Sequence, residues 1–211
     1  MLTIRVVSIF PGFFEGPLAI SIPARARAAG AVDYQLIDLR NHTHDRHRTV
    51  DDLPYGGGPG MVMKPEPFFE AVEAAHAKAP IILLSPRGRR FTHDDAVRLA
   101  ALDEFTLLCG HYKDVDQRVA DHLATEELSL GDFVLSGGEP AALAVIDAVV
   151  RLLPGAMSDP GSAHGDSFYD GRGISAPSYT RPPEFRGFKV PEVLMSGNHA
   201  EIDKWRRGPQ L

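Results

Sequence analysis

The sequence predicts an α/β protein with a mostly parallel sheet and helices on both faces. Two observations carry this reading. Short apolar, β-rich runs alternate with segments of helical periodicity along residues 3–153, and the first three of these segments already form one strand–helix–strand unit. An alternation of this kind joins parallel neighbours by crossover helices, which then cover the sheet.

Taken in order, residues 3–9 and 32–39 read as strands, and residues 18–29 between them as a helix stopped by Gly30. Residues 41–65 form a loop full of His, Asp, Pro and Gly. A helix over 66–78, a buried strand over 81–84 and a short helix from about Thr92 follow. Strands over 105–109 and 128–135 and a helix over 139–153 complete the pattern. Beyond Pro154 the character changes: residues 155–183 are rich in Gly, Pro and Ser and offer few apolar runs. A last helix starts near Ser196 or Asn198, with His199, Ile202 and Trp205 spaced along it, and is too short to fold alone. The expected organisation is a main domain over 1–157, a linker over 158–175 and a short helical C-terminal extension over 176–211.

Composition narrows the class. The 211 residues are 44% hydrophobic and 24% charged, enough for one substantial core. The longest apolar runs, 81–85 and 141–150, fall well short of the roughly 20 residues of a membrane span. A single cysteine, Cys109, has no disulfide partner and fits a reducing cytoplasmic setting. The net charge of −6 excludes a surface coated in cations, so any nucleic-acid contact must use a local patch. Basic residues gather at Arg46 and Arg48, at Arg87, Arg89 and Arg90, and at Lys204, Arg206 and Arg207; each group also reads as an ordinary solvated face.

Three glycine-rich stretches are candidates for ligand contact: residues 55–61, 85–88 and 131–139. The last two follow strands, at the edge where open α/β sheets take ligands, and a backbone without Cβ lets a ligand come close. Any one alone reads as a turn; three together point to a ligand. None is a P-loop, and no Gly-x-Gly-x-x-Gly follows the first strand. His42, His44 and His47 crowd one loop with Asp45 and Asp51, but their spacing matches no zinc motif, and no metal site is expected there.

The run Gly110-His-Tyr-Lys-Asp-Val-Asp-Gln-Arg-Val119, followed by Ser129-Leu-Gly-Asp-Phe-Val-Leu-Ser-Gly-Gly138, closely resembles the bacterial tRNA (guanine-N1)-methyltransferases of the TrmD type. The likeness extends in colinear order from Phe10-Pro-Gly-Phe-Phe14 through 51–61, Arg151-Leu-Leu-Pro-Gly155, Asp166-Ser-Phe168 and Tyr179-Thr-Arg-Pro182 to 194–202. It implies a SPOUT-type fold with a C-terminal trefoil knot, S-adenosylmethionine as methyl donor, the guanosine at position 37 of tRNA as acceptor, and a homodimer. On the same resemblance the donor pocket takes Leu84, Ser85 and Pro86 from one loop, Gly110 and Tyr112 from a second, and Leu130, Gly131, Asp132, Phe133, Val134, Leu135, Gly137 and Gly138 from a third. It makes Asp166 the base that accepts the N1 proton, reaching the pocket of the other subunit, and Arg151 the guanidinium that faces guanine O6. Read without it, Arg151 is a cation at a helix C-terminus and Asp166 a turn residue.

The chain departs from the family in three places. The usual Gly-Arg-Tyr-Glu-Gly is Gly110-His-Tyr-Lys-Asp114, so an acid has become Lys113. If that acid places the donor's amino group or a magnesium ion, Asp114 or Asp116 must take over here. The usual Gly-Gly-Glu-Leu-Pro is Gly137-Gly-Glu-Pro-Ala141, with proline moved by one place, which a helix start tolerates. The sequence ends at Leu211, where the family continues into further helices that grip tRNA. Two alternatives stay open at this point: another SPOUT RNA methyltransferase, and a donor-binding RNA module with weak catalysis.

Overall fold

A computed structural model describes residues 1–157, 166–171 and 173–207 and divides the chain into two compact units, residues 1–158 and 159–211. The first is built on five strands: β1 (Leu2–Ser8), β2 (Val32–Asp38), β5 (Ile81–Arg90), β6 (Glu104–Cys109) and β8 (Glu126–Ser129). They lie in the order β2-β1-β6-β5-β8, every neighbouring pair parallel. Side chains alternate across this sheet as the pleat demands. Ile4, Val6, Ile82, Leu84, Phe105 and Leu107 point to one face, into a core shared with the helices α2 (Ser21–Ala28), α4 (His93–Ala100) and α6 (Glu139–Val150). Val7, Ile81, Leu83 and Leu108 point to the other, against α3 (Pro65–Ala74) and α5 (Gln117–His122). The doubly covered parallel sheet is therefore as expected.

Local chemistry sets the helix starts. In α4 the Thr92 backbone N–H donates to Asp95 while the Thr92 side chain caps the first turn, a reciprocal capping box. Pro65 opens α3, and Pro140 sits in the first turn of α6, where a missing N–H costs nothing; the displaced proline is accommodated as expected.

Four expectations need correction. The helix over 18–29 is two, α1 (Glu15–Leu18) and α2, with Ile20 extended between them. Pro23 explains the break: its ring would clash with the carbonyl of Ala19, so it fits only the first turn of a new helix. The strand over 81–84 runs on to Arg90, shifting register so that Leu84 and then Arg89 both pair with Leu128. The strand over 128–135 is instead β8, which ends at Ser129 because its partner ends at Arg90; residues 130–135 spend their apolar side chains on a loop. Finally, the stretches 51–63 and 114–122 hold short elements: β3 (Asp51–Asp52), β4 (Val62–Met63), β7 (Asp114–Val115) and α5. β3 pairs antiparallel with β4, which pairs parallel with β7.

In the second unit a hairpin of β9 (Glu184–Phe185) and β10 (Phe188–Lys189) precedes α7 (Glu192–Met195) and α8 (His199–Arg207). The final helix thus starts where expected, just after Asn198. The Trp205 and Tyr179 rings lie 6.2 Å apart along a groove that also includes Ile202 and Thr180. Half of the expected linker, residues 158–165 and 172, lies outside the described residues.

Candidate functional site

Because β6, β5 and β8 are adjacent and parallel, the loops leaving their carboxyl ends converge on one edge of the sheet. They enclose a cleft walled by Ser85 and Pro86 after the apolar half of β5, by residues 110–115 after β6, and by 128–131 and 133–138 at and beyond the end of β8. Twelve of the thirteen expected pocket residues line it. Asp132 does not: its side chain is 94% exposed and pairs with Arg90 at 2.9 Å.

The cleft floor is two backbones in contact. Gly138 N–H donates to Gly110 C=O at 2.8 Å, and His111 bridges to Gly137. A Cβ on Gly138 would stand 2.8 Å from Cys109 Cα, so only glycine allows α6 to begin against the end of β6. In the wall, the Ser129 hydroxyl donates to Gly131 C=O at 3.1 Å and accepts from Gly131 N–H at 3.2 Å, turning the chain straight after β8. Tyr112 adopts φ +62°, an unusual left-handed conformation for a residue with a side chain.

Sequence reasoning passed over a small buried network beneath this floor. The Ser8 hydroxyl, at the end of β1, donates to Glu139 at 2.6 Å, and both residues are buried. His111 Nδ1 lies 3.6 Å from the other Glu139 oxygen, and its ring meets Phe10 edge-on at 5.1 Å. The available signal was an acid straight after Gly137-Gly138 and ahead of an apolar helix. Burial together with the Glu139 charge pushes the Cys109 thiol well up, which makes that cysteine an unreactive packing residue, as its sequence context suggests.

The ionic pattern around the cleft is orderly. Arg87 donates to Asp114 at 2.7 Å and to Gln117 at 2.9 Å. Asp116 accepts two bonds from the Arg118 guanidinium, at 2.7 and 2.8 Å, which hold its carboxyl below the usual range. Asp114 and Asp116, the acids named as substitutes if the usual one places the donor's amino group or a magnesium ion, are each engaged by an arginine. Among the described residues no cluster of three or more His, Cys, Asp or Glu side chains could hold a metal ion.

Arg151 caps the C-terminus of α6, its N–H bonded to Asp147 C=O at 3.2 Å and its guanidinium 4.0 Å from Met157 Sδ. The reading as a helix-terminal cation therefore holds. Asp166 belongs to the second unit, half-buried, and lines the groove there.

A parallel α/β domain with a loop-built cleft at the carboxyl edge, floored by glycine backbone, belongs to the class of open-sheet proteins whose candidate ligand site lies at that edge. The family model described as tRNA (Guanine-1)-methyltransferase TrmD matches residues 2–211. Among curated relatives, a tRNA (guanine-N(1)-)-methyltransferase of Geobacter sulfurreducens is 54% identical over 98% of this chain and 85% of its own length. Proteins of the same name from Gloeobacter violaceus and Geobacillus kaustophilus are 53% and 49% identical, each over 99% of this chain and over 92% and 86% of their own lengths. The chain belongs to the TrmD family.

Proposed function

We propose that this protein transfers a methyl group from S-adenosylmethionine to N1 of the guanosine at position 37 of tRNA, acting as a homodimer in the cytoplasm. Methylation of guanine N1 in tRNA follows from the family and from the names of the relatives, all covered over most of their length. Donor, position, subunit state and location are our reading, and the observation that carries the donor is the cleft at the ends of β5, β6 and β8. Its apolar side chains, Leu84, Pro86, Leu130 and Leu135, suit an adenine ring, while exposed backbone N–H and C=O groups suit the ring edge. A SPOUT trefoil knot accords with residues 130–138 leaving β8 and returning to the end of β6 at Gly110. Among the described residues no helix is long and apolar enough to cross a membrane.

When bound, the donor supplies an electrophilic methyl group on sulfur. The protein must then remove a proton, because guanine N1 carries a hydrogen in its neutral form. Asp166 is the proposed base, accepting that proton, and in the homodimer it serves the cleft of the other subunit. As the proton leaves, charge builds on guanine O6; the Arg151 guanidinium, fixed at the end of α6, stabilises that charge more in the transition state than in the ground state. Trp205 and Tyr179, with Lys204, Arg206 and Arg207 in the last turn of α8, offer stacking faces and cations for the RNA.

The test is transfer of labelled methyl to tRNA transcripts carrying guanosine or adenosine at position 37. Label on the guanosine transcript alone is expected. Asp166→Asn should lower turnover by about 10²–10⁴-fold with donor binding unchanged. Arg151→Lys should lower it by about 10²-fold, since a point charge replaces a planar fork. Full turnover in Asp166→Asn would remove the base assignment.

A further inference from the structure

Beneath the cleft floor lies a buried carboxylate that no arginine or lysine answers. Glu139 is 3% exposed, and its Oε1 accepts from the Ser8 hydroxyl at 2.6 Å. Ser8 is itself oriented: its Oγ accepts Phe10 N–H at 2.8 Å, which leaves its proton turned to Glu139. A length of 2.6 Å is that of an O–H donor on an ionised carboxylate, and the first turn of α6, where Glu139 stands, favours negative charge. The other oxygen, Oε2, faces His111 Nδ1 at 3.6 Å. An imidazolium would close on a carboxylate to about 2.7–2.9 Å, whereas this nitrogen has no hydrogen-bond partner among the described residues. Among those residues no Lys or Arg side chain pairs with Glu139.

The other acids around the cleft are matched. Asp114 takes Arg87 on one oxygen and Val115 N–H, at 2.9 Å, on the other. Asp116 is held by Arg118, and Asp132 by Arg90. The Lys113 ammonium lies against Gly58, which is not part of the cleft lining. Glu139, by contrast, is separated from the cleft by a single glycine backbone. Gly137 lines the cleft, and a side chain on it would run into Glu139 Oε2 and His111 Nδ1 together. The surrounding walls are largely apolar, with Leu84, Pro86, Leu130, Leu135 and Ala141 among them. Little water can screen a charge in such a place, so it acts strongly on whatever lies on the floor. Burying a carboxylate without a cation is unfavourable, and a cation entering the cleft offsets that penalty.

We infer that Glu139 supplies the counter-charge for a positively charged ligand in the cleft, which on the donor reading given above is the sulfonium of S-adenosylmethionine. Glu139 thereby determines specificity through its charge and not through contact. It favours the cationic donor over the demethylated product, S-adenosylhomocysteine, whose sulfur is a neutral thioether. Loss of that charge with the methyl group removes the attraction, so the same floor that holds the donor lets the product go.

The experiment is titration calorimetry of the whole protein with S-adenosylmethionine and S-adenosylhomocysteine, comparing the unaltered chain with Glu139→Gln and Glu139→Asp. Glutamine keeps the size and an oxygen for Ser8 but carries no charge; aspartate keeps the charge. Melting temperatures without ligand check that each variant folds. Opposite charges roughly 6–10 Å apart, at an effective dielectric of about 20, are worth about tenfold or more in affinity. Glu139→Gln should therefore weaken S-adenosylmethionine about tenfold and leave S-adenosylhomocysteine within about twofold, while Glu139→Asp keeps the difference between the two probes. Equal weakening of both probes, as loss of a merely structural contact would give, overturns the inference, and so does no weakening of either. If Glu139→Gln does not fold, infrared difference spectra of the unaltered chain decide. S-adenosylmethionine should shift the band of one buried, ionised carboxylate that S-adenosylhomocysteine leaves in place; no such shift, or a protonated carboxyl in the donor complex, overturns the inference. An unaltered chain that binds neither probe would instead remove the donor reading itself.

Discussion

Gly138→Ala isolates one contact on which both the fold and the cleft depend. Gly138 has φ −75° and ψ −13°, a conformation alanine adopts freely, so any effect comes from space and not from backbone strain. The new carbon would sit 2.8 Å from Cys109 Cα and 3.2 Å from both Cys109 Cβ and Gly110 N. Carbon atoms rest at about 3.5–4.0 Å, so the two segments must part by nearly 1 Å. Cys109 is fully buried at the end of β6 and its Cα cannot rotate away. Overpacking of this kind costs about 1–3 kcal/mol, and stretching the 2.8 Å bond from Gly138 N–H to Gly110 C=O adds about 0.5–1 kcal/mol. At about 2–4 °C per kcal/mol in a chain of this size, the melting temperature should fall by roughly 3–16 °C. The displaced floor should also weaken donor binding. Gly16→Ala is the matched control: nothing lies within 4 Å of its Cβ in α1, and alanine there should stabilise by up to about 1 kcal/mol. Differential scanning calorimetry of both variants, with donor titrations alongside, measures the contrast. If Gly138→Ala melts with the unaltered protein and binds donor normally, β6 and α6 part without cost and the close approach is not what shapes the cleft.

Two further effects concern buried titrating groups. Asp95 accepts both Arg89 nitrogens at 2.6 and 2.7 Å, and this, with the Thr92 bonds, holds its carboxyl well below the usual range despite burial. A depressed value means that the stabilisation is complete above the unfolded value, near pH 4, and fades as pH falls below it; Asp95→Asn should cost about 1–3 kcal/mol at pH 7 and roughly 1 kcal/mol less at pH 3, read from urea unfolding. Burial pushes the Tyr34 phenol up to about 12, its hydroxyl donating to Pro23 C=O at 3.2 Å. A raised value means stability is complete below pH 10 and declines from there towards pH 12; Tyr34→Phe should lose less stability over that interval, and a tyrosinate titration of the native protein should show one late-ionising phenol.

The sheet was legible because its strands are apolar on both sides: β1, β5 and β6 feed two cores, and no sequence period other than a buried run describes that. What failed was the distinction between a run buried in a sheet and one exposed in a loop. Phe133 and Val134 look like strand residues, yet they are 56% and 84% exposed, because pairing stops where β5 stops and no local preference reveals that. The glycine-rich stretches 85–88 and 131–139 already pointed to a ligand, whereas Gly110 and Tyr112 were legible only through resemblance. Of the three glycine stretches, 55–61 does not line the cleft, and it takes the adjacency of β6, β5 and β8 to bring the other two together with the loop at Gly110. The Ser8–Glu139–His111 network was illegible for the same reason, since its members lie 131 residues apart at the extreme and meet only once α6 begins beside β1.

Tertiary pairing also reassigns the basic stretch at Arg87, Arg89 and Arg90, which by composition alone could have served RNA. Arg89 is forked onto Asp95 and reaches Glu126 at 2.8 Å, so it fastens the polar half of β5 to α4 and β8. Arg87 and Arg90 are tied to Asp114 and Asp132 on either side of the cleft mouth. Exposed pairs of this kind contribute little stability, about 0–1 kcal/mol each, but they fix where charge stands. With three arginines spent on neighbouring acids, a protein of net charge −6 attracts polyanions only through the cations it leaves over.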